Sequence, residues 1–478
     1  YPYGTEYSTP TELALAQADT ANIYSYATHG SHVAGIAGGS GSGTPYRGIA
    51  FESNFLFTTF LVDESSVLDA WDWMYNKSLD EGKRLVINMS WGLYHMDAID
   101  GSSLLSQALD NYSALGVVFV SSAGNNGSVN FHIQKNFTAD MLYSRVQFYN
   151  SASLSTLWGQ SIHMWGEQGE SFGAGIQLYS GSTLVGESPL YSTATTTNYV
   201  DSVHPSNNRP QIRLRVKLPT SGYKVVLKSG AASGTVHYWN VTELTSDVGN
   251  WGMPFSTFAV PGISLTAGDK TYGIGAPACS YSCMTVAAYS SEFVVNGSLY
   301  GGQFASFSSV GPLINNTLKP DISGPGVSVA SSISSYTDNN FSQITSVMFN
   351  GRTYPFARFS GTSMSSPVVA GVVALILEAN PYLSPQQVKD IIKQTARLDQ
   401  YTVPSPPHST KWGWGKVNAH AAIVLALNTT GVQQLKEEPT WNIFPNPTSG
   451  EVTISNLLGD VQSLQVLDYT GKLQNVKR

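Results

Sequence analysis

The chain has 478 residues, enough for two or three domains with separate cores. Only 12% of residues are charged and the formal net charge is −7, so no basic stripe is available to displace counterions from a nucleic acid. The most apolar stretch, "PVVAGVVALIL" from Pro367, is shorter than a bilayer span and suits a buried core helix.

From the N-terminus, "ATHGSHVAGIAGG" reads as a helix with Thr28 and Ser31 as candidate starting residues, and it places His29 and His32 on one face. As an H-x-x-H pair these could ligate a metal, act as a base, or simply pack. "RLVINMSWG" and "GVVFVSSAGNNG" each read as a buried strand ending in a glycine loop. Between them, "SSLLSQALDNYSALG" repeats apolar residues at helical spacing and stops at Gly116. Strand, helix, strand with short loops is the pattern of a parallel α/β sheet. Asn125, on the second loop, sits where open α/β sheets gather functional groups; its amide is a candidate oxyanion donor or a plain turn residue.

The pattern changes over residues 131–270. "QIRLRVKL" alternates, with Ile212, Leu214, Val216 and Leu218 opposite Arg213, Arg215 and Lys217. "YKVVLKSGAASGTVHYW" reads as two strands around a glycine turn. This block is expected to be an inserted antiparallel β-sandwich. Cys279 and Cys283, in "PACSYSCMTV", suit a local staple or two free thiols, with no second ligand pair at zinc-like spacing.

Beyond them, "SCMTVAAY" and "VASSIS" return to buried strands. "FSGTSMSSPVVAGVVALIL" then runs a small-residue turn into a helix whose first turn is expected to carry Pro367. Ser363 on that bend would meet the free N–H groups and positive end of the helix, a useful place for a nucleophile or an ordinary N-cap. A second helix, "SPQQVKDIIKQTA", opens with Ser384 as N-cap and Pro385 behind it. "QQLKEEPT" reads as a polar linker, and "WNIFPNPTSGEVTISN" and "LQVLDYTGKLQ" as strands of a small β unit.

Taken in order, "HGSHVAGIAGG", "INMSWG", "SSAGNNG", "FASFSSVGP", "KPDISGPGVSV" and "FSGTSMSSPVVAGVVALIL" resemble the subtilisin-like serine peptidases (subtilases, peptidase family S8) over most of residues 20–425. The resemblance implies an α/β fold, a parallel sheet flanked by helices, carrying a serine endopeptidase activity. It casts His29 as general base, His32 as structural, Ser363 as nucleophile and Asn125 as oxyanion donor together with the Ser363 N–H. Ser90, Trp91 and Gly92, with Ala123 and Gly124, match segments lining the substrate groove, where a peptide would pair as an added strand. No metal ligand is assigned. Structural calcium is left open by the family, but no acidic loop is strong enough to assign a site.

The family's triad also needs an aspartate before the histidine. Asp19, in "QADTAN", lacks the following glycine and the apolar strand that such a residue needs. The expectation is therefore that the acid lies upstream of Tyr1 in an N-terminally truncated chain, with about four orders of magnitude lost in turnover. Residues 441–478 resemble, through the Pro-Asn-Pro turn between two strands, an incomplete C-terminal sorting domain of the type IX secretion system of Bacteroidetes. That implies contact with the secretion machinery and export across the outer membrane to the surface or medium. The expected organisation is a catalytic domain in two parts, 1–130 and 271–430, the inserted block 131–270, a linker 431–440 and the tail 441–478. Expected partners are protein or peptide substrates, with no nucleic acid and no transmembrane segment. A different class of function, a surface binding protein that keeps the peptidase fold without turnover, would use the Tyr- and Trp-rich insert.

Overall fold

The computed structural model describes residues 4–16, 27–59, 64–94, 98–149, 159–195, 208–217, 222–243, 248–335, 341–403 and 408–430, and four short strands beyond. Asp19 and the linker 431–440 lie outside the described residues. The chain divides into two units, Tyr1–Thr429 and Thr430–Arg478.

At the centre of the first unit lie four strands, Val86–Met89, Val118–Ser122, Met284–Ser290 and Ile322–Val327, in that order and all parallel. The sheet is covered on both faces, so its strands are apolar on both sides rather than alternating apolar with charged. Along Val118–Ser122, Val118 and Val120 join Val369, Val373 and Ile376 of the helix Thr362–Ala379 in one core. Phe119 points the other way, into a second core with Trp71 of the helix Glu64–Asp80 and Leu105 and Leu109 of the helix Leu104–Ala114. The period of two in a strand therefore assigns each residue to one of two helix layers.

Helix boundaries follow local chemistry. Ser103 caps Leu104–Ala114 through Ser106 N, and Ser384 forms a full capping box with Gln387 ahead of Pro385–Gln394. The helix Ala27–Gly38 carries Thr28 in its first turn and Ser31 just after it. One expectation needs correction. The central helix begins at Thr362 and runs for 18 residues, so Pro367 lies beyond its first turn. That helix is long and apolar enough to cross a membrane by length and composition, but most of it is buried in the protein core. Cys279 and Cys283 are both buried and not joined in a disulfide, so no local staple forms, and burial pushes the Cys283 thiol up to about 12.

Residues from His132 to Ser256 form two antiparallel sheets. One orders Phe255–Ser256, Asp140–Val146, Tyr223–Ala231, Phe172–Ser180 and Thr183–Glu187, with Tyr191–Ser192 alongside. The other orders Val248–Gly252, Thr235–Glu243, Gly159–Gly166 and Gln211–Val216, with His132–Asn136 on Thr235–Glu243. Ile162, Ile212 and Tyr238 from one sheet and Leu142, Phe172 and Leu227 from the other share a single core. The strands Tyr223–Ala231 and Thr235–Glu243 lie in different sheets: the short glycine turn carries the chain across the core, because each strand pairs with distant segments instead of its neighbour. His132 and Asp269 exchange backbone hydrogen bonds of 3.2 and 2.7 Å, which brings the start of this block beside the loop that follows it.

In the second unit, Asn442–Phe444 pairs with Thr453–Ser455 and Val466–Leu467 with Leu473–Gln474, both antiparallel.

Candidate active site

The strand Val118–Ser122 ends in Ala123-Gly124-Asn125-Asn126, and the turn Ser360-Gly361 leads into the helix Thr362–Ala379. These two corners lock together. Asn125 Oδ1 accepts from Thr362 N and from Thr362 Oγ1, both at 2.9 Å, and Gly124 N donates to Thr362 Oγ1 at 3.1 Å. Gly124 stands at φ 102°, where side chains are disfavoured, and a Cβ there would come within 2.9 Å of Ser309 Oγ. With both of its lone-pair directions occupied by Thr362, the Asn125 amide can only turn its Nδ2 toward the cleft. A carbon attached to Gly361 Cα would be 3.7 Å from Asn125 Nδ2 and 3.7 Å from Ser363 N. Both donors thus lie within 3.7 Å of one point, with Met364 Sδ 3.6 Å from it, and the Ser363 N–H, in the first turn of a helix, has no intrahelical acceptor.

Pro367 explains the next layer. It has no N–H to give to the carbonyl four residues back, which is that of Ser363. Ser90 Oγ donates to that carbonyl at 2.9 Å, while Ser363 Oγ donates to Ser90 O at 3.2 Å. Asn88 holds Ser90 in place from its strand, donating to Ser90 Oγ at 3.0 Å and accepting from Ser366 Oγ at 2.7 Å.

His29 and His32 part company, as their spacing allows. His32 is buried, stacked 4.3 Å from the Phe359 ring, with Nε2 donating to Ala357 O at 3.2 Å. Desolvation drives its pKa down to about 4 against the opposing effect of that hydrogen bond. His29 opens to the cleft, and partial desolvation lowers its pKa below the ordinary histidine value. Among the described residues no hydrogen bond joins His29 to Ser363 and no carboxylate is bonded to its ring. No group of three or more histidine, cysteine, aspartate or glutamate side chains converges among the described residues.

His29, Asn125 and Ser363 all border one cleft of about 350 Å³, whose further walls include Ser90–Gly92 and Ala123–Gly124. All eight residues singled out in the sequence therefore meet around one space. Others cannot be found from spacing. Thr362 orients Asn125 from 237 positions away. Asn126 accepts from Gly252 N at 2.9 Å and donates to Tyr94 OH at 2.9 Å. Tyr94 OH donates in turn to Gly273 O at 2.7 Å, and burial raises its pKa to about 12. Trp251, from the antiparallel block, also borders the cleft. The only sequence signals for these are a Thr beside the bend serine and a doubled Asn after the strand.

A model of the subtilase family of peptidases matches residues 10–155 and 248–420, more than half of the chain. The unmatched interval, 156–247, falls within the antiparallel block. Serine protease AprX of Bacillus subtilis is 34% identical over 161 residues, which are 33% of this chain and 33% of AprX. The minor extracellular protease Vpr of the same organism is 39% identical over 97 residues, 20% of this chain and 10% of Vpr. The chain thus spans no more than a third of the length of these two relatives. Among solved structures, the CspB protease of Clostridium perfringens superposes with a TM-score of 0.60 at 19% identity, covering 85% of this chain and 82% of that one, a likeness of fold. With the family model matching on both sides of the antiparallel block and the fold agreeing, the chain belongs to the subtilase family of serine peptidases.

Proposed function

We propose that the chain is a secreted serine endopeptidase that cleaves peptide bonds through an acyl-enzyme on Ser363. His29 takes the Ser363 Oγ proton as Oγ bonds to the substrate carbonyl carbon. Asn125 Nδ2 and the Ser363 N–H receive the negative charge that develops on the carbonyl oxygen. The C–N bond then breaks as His29 gives the proton to the leaving amine; a water, deprotonated by His29, attacks the ester carbon, and the C–Oγ bond breaks as His29 passes that proton to Ser363 Oγ. Ser90–Gly92 and Ala123–Gly124 supply the main-chain edges along which the peptide lies. The observation that carries this reading is the convergence of two donors, 3.7 Å from one point, beside a serine at a helix start in a cleft shared with His29.

The first step asks Ser363 Oγ to leave Ser90 O and turn to His29. Only one hydrogen bond, at 3.2 Å, is given up when the hydroxyl changes partner. The direct test is labelling of the full chain with a fluorophosphonate. Labelling that disappears in Ser363→Ala supports the peptidase. An unlabelled wild type that carries the triad aspartate and is folded by circular dichroism refutes it. The competing reading, a binding protein on a peptidase fold, draws on the same geometry: His29 is joined to neither Ser363 nor a carboxylate among the described residues.

Residues 131–270 are proposed to be an inserted β-sandwich domain between catalytic parts 1–130 and 271–430. The shared core of the two sheets, the adjacency of His132 and Asp269, and the unmatched interval 156–247 support this. Residues 441–478, after the linker 431–440, are proposed to be a type IX sorting domain. The antiparallel pair on either side of the Pro-Asn-Pro stretch supports that reading. Deleting 441–478 in a host with that system is expected to hold the protein in the periplasm, and undiminished release to the medium would overturn it.

A further inference from the structure

We infer that Asn126 is a positioning residue through which the antiparallel block holds the proposed oxyanion donor Asn125 in place, so that the block contributes to turnover through that loop. This rests on the peptidase reading. Asn126 is 2% exposed, and both ends of its amide are engaged with segments outside its own loop. Its Oδ1 accepts from Gly252 N at 2.9 Å, in the strand Val248–Gly252 of the block, and its Nδ2 donates to Tyr94 OH at 2.9 Å. Tyr94 OH donates onward to Gly273 O at 2.7 Å, just beyond the block. The last strand of the block and the chain that leaves it therefore both reach the oxyanion loop through one buried amide and one phenol.

Thr362 sets the rotation of the Asn125 amide, but where that amide stands depends on the backbone of residues 124–127. One side of that backbone is held by the segment 307–309: Ser309 N donates to Gly124 O at 2.9 Å, Asn126 N to Ser309 Oγ at 3.0 Å and Gly127 N to Phe307 O at 2.8 Å. Asn126 Oδ1 adds a hold from the block. The block in turn fixes the strand that supplies the donor. Gly252 pairs with Val241, Met253 N donates to Asn240 O at 2.9 Å and Phe255 N donates to Asn130 O at 2.8 Å. A Cβ on Gly252 would stand 2.6 Å from Phe131, so a glycine is what lets the strand come this close. Phe131 packs edge-on against Tyr94, 5.3 Å between centroids, which seats the same phenol from the block's side.

Removing the Asn126 amide would leave the Gly252 N–H without its acceptor in a buried place, and the strand and the loop would part to let water reach it. Asn125 would then keep its bonds to Thr362 while its backbone shifts. Donors that meet a developing oxyanion must be fixed beforehand, so a displacement of a fraction of an ångström lowers the rate of the chemical step and leaves substrate binding nearly unchanged. A side chain that only stabilised the fold would not act selectively on that step.

The test uses the full chain carrying the triad aspartate and one peptide amide substrate. Asn126→Leu is expected to lower kcat about tenfold with KM within about twofold, and Gly252→Ala, which forces the strand away from Phe131, to lower kcat in the same way. A double-mutant cycle decides. With Asn125→Leu already in place, each of the two is expected to change kcat by less than about twofold, because each acts through the amide that is gone. An equal loss in both backgrounds, a loss expressed in KM, or an unchanged kcat in Asn126→Leu overturns the inference. Thermal unfolding reports on folding. Should Asn126→Leu fail to fold, Tyr94→Phe takes its place in the cycle with an expected loss of about threefold, since it removes one of the two partners and keeps the ring. Fluorophosphonate labelling of wild type separates the two levels. Labelling together with losses that add across the cycle sinks only this inference, whereas no labelling sinks the peptidase reading beneath it.

Discussion

The two halves of the candidate site are held in opposite ways. Around Asn125 and Ser363, side-chain amides and hydroxyls from three segments lock one another: Asn125 on Thr362, Thr362 on Gly124, Ser90 on the carbonyl that Pro367 leaves without its helical donor, Asn88 on Ser90 and Ser366. His29, on its own helix, has none of these ties among the described residues, while its neighbour His32 is stacked and hydrogen-bonded. The contrast is physical. Stabilising an oxyanion needs donors fixed before the charge appears. A base must move a proton and keep a pKa near working pH, and its ring is oriented by whatever accepts from its far nitrogen.

The variants that break this contrast rank by how directly each residue meets the reacting atoms. Ser363→Ala is expected to remove labelling altogether and to cut peptide hydrolysis by about 10⁴-fold or more. Asn125→Leu is expected to lower kcat by about 10²- to 10³-fold with little change in KM, because the lost donor acts on the transition state. A loss expressed in KM instead would move Asn125 into ground-state recognition. Thr362→Val keeps the N–H to Asn125 Oδ1 but loses the hydroxyl, and a drop of about tenfold in kcat is expected, as for a positioning residue.

The base side is sharpened by pH. As the proposed base, His29 acts in its neutral form, so kcat/KM is expected to fall as pH drops through its pKa, and desolvation places that limb below about 6.5, the ordinary histidine value. A limb clearly above that value would mean that a carboxylate supports the ring. His32 acts on stability instead. Its folded pKa of about 4 lies below the unfolded value, so between these the unfolded chain binds more protons and stability rises with pH. The stabilisation is present above about 6.5 and is lost as pH falls toward 4, roughly 3 kcal/mol in all. Denaturant midpoints at pH 4 and 7 for wild type and His32→Phe isolate it. An identical pH difference in both proteins would remove His32 as its source.

Much of this is legible in the chain. The cap that Ser384 forms with Gln387 is a local signal, and so is the apolar run of the central helix. Asn125 after a buried strand and Ser363 before a helix are readable because an α/β sheet puts such bends at one edge. Three features are not. The start of the central helix at Thr362 escapes notice because "GTS" has no side-chain cap, and Asn125 acts from a distance in its place. The strands Tyr223–Ala231 and Thr235–Glu243 carry the pattern of a hairpin, yet the turn sends them to opposite sheets. Cys279 and Cys283 have the spacing of a staple, but the fold buries both as thiols.

By itself, the sequence determined which segments are strands or helices and which short bends could carry chemistry, because periodicity, caps and glycine turns act over a few residues. Only the tertiary structure decided that Thr362 would orient Asn125 across 237 positions, that Ser90 would answer the carbonyl freed by Pro367, and that Trp251 would reach the cleft. Those pairings depend on which strand lies beside which, and a hydrogen bond between distant residues leaves no mark in the local spacing of either one.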